Sequence, residues 1–493
     1  MANGLSLEAM SHADHANTVI LDVRGNDLVI EPPSALRGLS VEAQCVALVG
    51  PDEAPGLAAV VMLDRRHHIL RTLPLHFAAL KAALRRHGAY AVQVAFEERP
   101  SLPFAPHVAV EPRPYQEQAL SAWQAEGSRG VVVLPTGSGK TVLGALAIAD
   151  TGVWALVVVP TIDLLAQWRR ALAQILTVAE QEIGVVGGGE RDVRPITIIT
   201  YESAALYPRL LNRFGLLIFD ECHHLPAPSY RLIAEGASTP MRLGLSATPE
   251  RADQEHRALD RLIGPLVYRR EPEQLASERY LAAYDIERLP IELTPPERAR
   301  YERARAVYTG FIRQRRLAIH SPQDFQRKVL WASARDPEAR AAMVAWREAR
   351  ALALNAPAKL ATLEALFERH RDERVLVFSE YNALVEAVSR RCCIPCITHK
   401  TPADERRAIL ERFRDGRYTK LASGRVLNEG VDLPDCRVAI IVSGNATRRE
   451  YVQRLGRILR PKEARAILYE LVTEGTTEEA VADRRRARGK TQE

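Results

Sequence analysis

Apolar residues in this chain fall into short continuous runs rather than strict alternation. In the first half the runs lie at residues 131–134, 156–159, 196–200, 216–220 and 243–246, with helical segments between them. Continuous apolar strands spaced by helices predict a parallel sheet buried on both faces. A second set at 375–379, 394–398, 419–423, 438–443 and 467–472 predicts another α/β domain. Residues 295–355, between the two sets, are charged and rich in Ala and Arg without a strand-like run, which predicts a helical insertion. Upstream, strand-like pieces at 19–23, 28–30 and 91–96 and a helical stretch at 75–86 predict a small α+β domain. Pro103, Pro106, Pro112 and Pro114 then punctuate a linker. The expected organisation is an N-terminal α+β domain over 1–105, an α/β domain over 106–275, and a second over 276–493 that carries the insertion.

Composition narrows the class only modestly. With 493 residues the chain is too long for one core, and 47% hydrophobic with 26% charged residues fits a globular protein. No apolar run approaches the ~20 residues of a membrane span, and the polar first 16 residues carry no secretory pattern, so no membrane partner and a cytoplasmic location are expected. The net charge of +6 is a mild bias toward polyanions such as nucleic acid. The tail at 484–490 holds five basic residues in seven, which reads as a solvated segment. Six scattered cysteines make no disulfide framework. Cys393 and Cys396 form a CxxC, but no second Cys or His pair stands at zinc spacing, so they read as strand-flanking residues.

The chemistry begins at LPTGSGKT, residues 134–141, between an apolar strand and a helix start. Such a turn wraps phosphates with its backbone N–H groups, and the helix N-terminus favours negative charge. Pro135, Thr136, Gly137, Ser138 and Gly139 form the turn, Lys140 reaches the β/γ-phosphates, and Thr141 ligates Mg²⁺. Leu134 stands where the first glycine of the strict pattern would be. A second apolar strand ends in Asp220-Glu221. That places Asp220 to hold Mg²⁺, directly or through water, and Glu221 to orient and deprotonate an attacking water. The expected cofactors are ATP and Mg²⁺.

From DECH at 220–223 onward the motifs resemble superfamily 2 helicases of the DEAD/DEAH type, which have two RecA-like domains with ATP between them. The resemblance implies adenine recognition by Arg113 and Gln116 in RPYQ. It implies nucleic-acid backbone contacts at Thr161 in VVVPTIDLLAQW and Thr200 in TYES, and coupling of hydrolysis to domain motion by Ser246 and Thr248 in SAT. His223 is expected to contact the SAT loop or Gln453. SGRVLNEGVDLP, with Gly430 and Asp432, and QRLGRILR, with Gln453, Arg457 and Arg460, resemble the second domain's share of the ATP site. Arg457 and Arg460 are spaced i, i+3, one helix face, and an arginine finger is worth roughly 10³–10⁵ in rate.

Residues 449–479, 399–418 and the Glu380-Tyr381 ending of VLVFSEY look like the archaeal and bacterial XPB helicases. That family implies 3′–5′ movement on forked or partly single-stranded DNA, nucleotide excision repair, a possible nuclease partner, a helical thumb and an N-terminal damage-recognition domain. It also implies a DNA-separating Arg-Glu-Asp loop after SAT. Here that place reads Arg251-Ala252-Asp253, without the middle acid. Two further readings stay open: a double-stranded DNA translocase that does not separate strands, and a DNA-binding subunit that loads a nuclease. RNA also stays open, because backbone contacts are sequence-independent.

Overall fold

In the computed structural model the described residues are 17–96, 100–251, 253–281, 284–319, 322–424, 436–443 and 465–487. The chain divides into two compact units at about Glu271–Pro272.

The first unit holds two sheets. The N-terminal one has five strands in the order Met62–Asp64, Ile69–Thr72, Asp27–Glu31, Thr18–Arg24 and Ala91–Val94. Only the last pairing is parallel. Helices Val41–Val49 and Phe77–His87 supply Cys45, Leu48, Phe77, Leu80 and Leu84 to a core with Val19, Leu21, Leu28 and Ile30. This is the expected α+β domain, with two strands added at 62–64 and 69–72.

The second sheet has eight strands in the order Leu266–Arg269, Arg129–Val133, Met241–Ser246, Leu216–Asp220, Ala155–Val159, Ile196–Thr200, Ile183–Gly187 and Glu190–Asp192. Every pairing is parallel except the terminal hairpin. The strands at 155–159, 196–200 and 216–220 are buried at every position, as a sheet covered on both faces requires. Three strands at the sheet's margins were not expected from sequence. IGVVG at 183–187 is glycine-rich, and the strands at 190–192 and 266–269 are short and partly exposed.

The segment that follows the N-terminal sheet is tied by main-chain bonds to the loop before strand Ala155–Val159. Trp154 N donates to Pro100 O at 2.7 Å and Leu102 N to Gly152 O at 2.8 Å, and Ser101 bridges Val153. Leu75 of the N-terminal domain packs with Phe214, Ile233 and Leu262 of its neighbour. Beneath the eight-stranded sheet, Arg242 is fully buried and donates to the carbonyls of Thr239, Ala234, Leu262 and Ala237. Four carbonyl acceptors replace a counter-ion there, although burial lowers the guanidinium's pKa.

The second unit carries a six-stranded parallel sheet in the order Tyr284–Ile291, Ala466–Thr473, Val438–Ser443, Val375–Ser379, Lys420–Ser423 and Cys396–Ile397. Strand Tyr284–Ile291 was missed because Asp285, Glu287, Arg288 and Pro290 interrupt any apolar run, which an edge position tolerates. The strand expected at 394–398 shrinks to Cys396–Ile397. Cys393 ends the preceding helix in a left-handed conformation, φ 53°. The insertion is helical, with Pro295–Gln314 and Pro337–Leu354 as its long members. Thr294 and Glu297 form a capping box on the first, and the Asp336 carboxylate caps the second. Ala339, Ala342, Ala345, Ala349 and Ala353 make a buried stripe of small side chains at helical spacing.

The C-terminal helix Thr477–Ala487 is tied in by a buried ion pair. Lys359 Nζ lies 2.7 Å from Glu478 Oε2 and also donates to Val442 O at 2.7 Å. Glu478 in turn accepts from Thr473 N at 2.9 Å. Burial raises the Glu478 carboxyl's pKa while Lys359 opposes that shift. Lys359→Met strands a buried carboxylate and is expected to cost about 3–5 kcal/mol. Lys359→Met with Glu478→Gln keeps an acceptor for Thr473 and is expected to recover most of it. Denaturant unfolding of both variants measures this; a double mutant no more stable than the single one would show that the pair's charges are not what matters.

Candidate functional site

Strand Arg129–Val133 leaves the sheet at Leu134, whose buried N–H donates to Ser246 O at 3.0 Å. The tight part of the turn comes later, at Gly137 and Gly139, with φ 84° and 83°. Both lie in the left-handed region that glycine favours, so a side chain is tolerated at 134. Helix Lys140–Thr151 follows directly, with Lys140 and Thr141 as its first two residues. Lys140 Nζ donates to Leu134 O at 3.4 Å, folding the ammonium back over its own loop. The first-turn amides of this helix have no intrahelical partners and point toward any anion held there.

The RPYQ segment opens helix Pro114–Ala125. Arg113 N donates to Gln116 Oε1 at 2.9 Å, the return half of a capping box, and proline at the first position suits a helix start. Buried Gln116 also donates through Nε2 to Gly139 O at 3.4 Å. A Cβ on Gly139 would sit 2.6 Å from that nitrogen, so close approach as well as dihedral angle demands glycine.

The acidic pair stands at the C-terminal end of Leu216–Asp220, where parallel sheets present ligand sites. Asp220 accepts from Trp168 Nε1 at 2.7 Å and from Glu221 N at 3.0 Å. Tyr201 OH donates to Asp220 O at 3.1 Å. Trp168 reaches the site because Gly144 on the facing helix has no side chain; a Cβ there would lie 2.7 Å from the indole. Burial first, and the Glu221 charge second, push the Asp220 carboxyl up to about 6, while Lys140 opposes the shift. Glu221 has φ 46° and ψ 50°, a left-handed conformation that costs a β-carbon residue about 1–3 kcal/mol and concentrates at functional sites. Cys222 behind it is fully buried and its thiol is pushed up, so it stays protonated.

His223 is buried, with Nδ1 3.3 Å from Ser246 Oγ and 3.4 Å from Glu221 Oε2. Ser246 Oγ also accepts from Thr248 N at 3.2 Å. Ser246 therefore joins the base of the phosphate loop, His223 and the SAT turn. Thr200 ends its strand and Thr161 stands two residues past the end of the neighbouring strand Ala155–Val159; both cap the helices that follow, accepting from Ser203 N and Leu164 N, each at 3.2 Å. Arg251 donates to Asp253 at 3.0 and 2.7 Å and to His223 O at 2.8 Å. The guanidinium holds the Asp253 carboxyl down at about 2. Gly430, Asp432, Gln453, Arg457 and Arg460 lie outside the described residues. Sequence reasoning assigned no role to Trp168 or Tyr201, whose contacts to Asp220 span 52 and 19 residues.

The raised Asp220 value sets a pH dependence for the ligand-free domain. The folded state favours the acid form, so the stability from this group is present below the ordinary carboxylate range and is lost as pH rises through about 6. Trp168 donates to the ionised form and opposes that loss. Trp168→Phe is expected to cost about 1.5–3 kcal/mol more at about pH 7.5 than at about pH 5. Denaturant unfolding at both pH values tests it; an equal penalty would mean the indole does not stabilise the carboxylate.

Residues 109–251 match the family described as Type III restriction enzyme, res subunit, and 358–462 match the helicase conserved C-terminal domain. The chain is 43% identical over 380 residues to the DNA 3'-5' translocase XPB2 of Sulfurisphaera tokodaii, covering 76% of this chain and 85% of that one. It is 33% identical over 372 residues to the DNA 3'-5' helicase XPB of Mycobacterium tuberculosis, covering 73% of this chain and 60% of that one. The corresponding protein of Kineococcus radiotolerans is 32% identical, with 62% of its length covered. The chain thus spans about three fifths of these two bacterial relatives. Among solved structures, the Pyrococcus furiosus Hef helicase domain matches with a TM-score of 0.55 at 16% identity, covering 76% of this chain and 98% of that one. Yeast Dbp5 bound to RNA and ADP BeF3 matches at 0.54 and 12% identity, covering 78% and 89%. These two likenesses concern the fold, two RecA-like α/β domains. With a phosphate loop, an acidic strand end and a relative at 43% identity, the chain belongs to the XPB family of superfamily 2 helicases.

Proposed function

We propose that this protein is an ATP-dependent DNA motor moving 3′ to 5′ and opening forked or partly single-stranded DNA, with a role in nucleotide excision repair. The observation that carries the reading is the joining of the phosphate loop, the acidic strand end and the SAT turn through Ser246. The nucleotide's phosphates would lie against the amides of 135–141 and Lys140, and its adenine against Arg113 and Gln116. Thr141 and Asp220 would hold Mg²⁺; a buried carboxyl poised near pH 6 beside a second acid suits a divalent cation. The ion would neutralise charge on the phosphoryl oxygens.

Glu221, beside that position, orients the attacking water and takes its proton. His223 and Ser246 carry the state of the phosphate site to Thr248 and the SAT turn. Arg457 and Arg460 would supply the positive charge that the transition state needs from the second domain, with Gln453 as a hydrogen-bonding partner and Gly430 and Asp432 completing nucleotide contacts. Thr161 and Thr200, the N-caps of the helices after two adjacent strands, would grip the DNA backbone. A nuclease partner is consistent with this role.

A second reading, a double-stranded DNA translocase without strand separation, gains from one observation. Arg251 bonds to Asp253 and to the carbonyl of His223 at the back of the acidic turn. Duplexes with 3′ tails, 5′ tails or forks, run beside triplex displacement, separate the two. Unwinding of 3′-tailed and forked DNA is expected; displacement without unwinding would overturn the helicase reading and leave the translocase.

Glu221→Gln is expected to lower DNA-stimulated turnover by about 10²–10⁴-fold while ATP still binds. Filter binding beside steady-state hydrolysis reads both; near-normal turnover would remove Glu221 as the base. Lys140→Ala is expected to abolish hydrolysis through loss of nucleotide binding, and normal binding would contradict its place on the phosphates.

A further inference from the structure

Thr161 and Thr200, the two residues read as DNA contacts, each begin a helix that delivers a hydrogen-bond donor to Asp220. Thr161 caps helix Ile162–Ile175, which carries Trp168. Thr200 caps helix Tyr201–Leu206, whose first residue is Tyr201. Trp168 Nε1 donates to Asp220 Oδ2 at 2.7 Å, and Tyr201 OH donates to Asp220 O at 3.1 Å. One donor holds the carboxylate and the other holds the main chain that carries it. Trp168 lies seven residues past Thr161, two helical turns or about 10 Å along the axis. Leu165, Trp168, Leu172 and Ile175 form the buried stripe of that helix, so close packing holds it as a body. Tyr201 directly follows Thr200 and is buried. The two elements also meet at Gly187, where a Cβ would lie 2.9 Å from Thr200 Cγ2 and 3.2 Å from Leu165 Cδ1.

Core packing alone does not call for this arrangement. Trp123, also fully buried, satisfies its indole N–H with a main-chain carbonyl, Arg242 O, at 2.9 Å. Trp168 meets a carboxylate instead, a charge-assisted bond that fixes where the acid points. Its approach depends on Gly144 inside helix Lys140–Thr151, where a Cβ would lie 2.7 Å from the indole. Glycine in a helix interior weakens that helix, and here the helix is the one that opens with Lys140 and Thr141. The indole therefore stands between the phosphate-loop helix, the acidic strand end and the helix that Thr161 starts.

We propose that Trp168 and Tyr201 are positioning residues that couple DNA held at Thr161 and Thr200 to the placement of Asp220, and so to the binding of Mg²⁺ with nucleotide. Neither side chain touches a substrate. DNA at the two caps and a cation at Asp220 each constrain the same two helices, so occupancy of one place changes the free energy of filling the other. Such coupling is reciprocal: each ligand alters the other's affinity by the same factor. The inference rests on the reading of Thr161 and Thr200 as DNA contacts and of Asp220 as a Mg²⁺ ligand.

The test is the affinity of the full chain for a fluorescent 3′-tailed duplex, measured without nucleotide and again with Mg²⁺ and a non-hydrolysable ATP analogue. The ratio of the two dissociation constants is the coupling factor, and such factors are typically about 5–150-fold. Trp168→Phe removes the indole N–H, and Tyr201→Phe removes one hydroxyl while leaving the ring. Each is expected to shrink the wild-type factor at least about three-fold, and the double variant to bring it to about 1. Tyr201→Phe carries the test alone if Trp168→Phe does not fold. A purely structural role would weaken both affinities together and leave the ratio in place. Leu172→Ala, a core change farther along the same helix, is expected to keep the factor; its loss there would overturn the assignment to the donors. An unchanged factor in one phenylalanine variant removes that residue, and in both it overturns the inference, as does a wild-type factor of 1. Failure of the wild-type protein to bind DNA at all would instead refute the motor reading itself.

Discussion

A buried carboxylate at a strand end is the constraint around which the first helicase domain is arranged. Asp220 sits at the C-terminal end of a strand buried at every position, next to a second acid. Its surroundings are correspondingly specific: an indole donor, a main-chain donor and the nearby Lys140 charge. Gly144 exists as a glycine so that the indole can arrive. Glu221 takes a left-handed backbone so that its carboxyl turns toward His223. Each departure from ordinary local preference in this region serves the same few cubic ångströms.

Ser246 plays the complementary part. Its carbonyl accepts from the phosphate loop and its hydroxyl meets both His223 and Thr248. A change at any one of these partners alters the geometry available to the others. Because the three contacts share one residue, none of these places can shift without disturbing the other two.

Much of this was legible in sequence because of how parallel sheets are built. Strands buried on both faces must read as unbroken apolar runs, and their C-terminal ends are where ligands bind, so LLIFD followed by Glu located the acidic pair at once. Edge strands follow no such rule. Tyr284–Ile291 carries four charged or proline residues and looks like anything but a strand. The contacts of Trp168 and Tyr201 with Asp220 are tertiary, and no local periodicity encodes them. Likewise the resemblance singled out Gln116 in RPYQ, whereas its reach to Gly139 across 23 residues is a tertiary contact that no local pattern encodes. Arg251 and Asp253 were legible as neighbours in one loop, but the bond from Arg251 to the carbonyl of His223 was not.

The main-chain bonds from Pro100 and Leu102 to the edge of the neighbouring domain have a mechanical meaning. Together with Leu75 in the shared core they tie the N-terminal domain to the sheet that carries the phosphate loop. A segment bonded at both Gly152 and Trp154 cannot slide past the start of strand Ala155–Val159, so the register of the one domain against the other is set by backbone rather than by side chains.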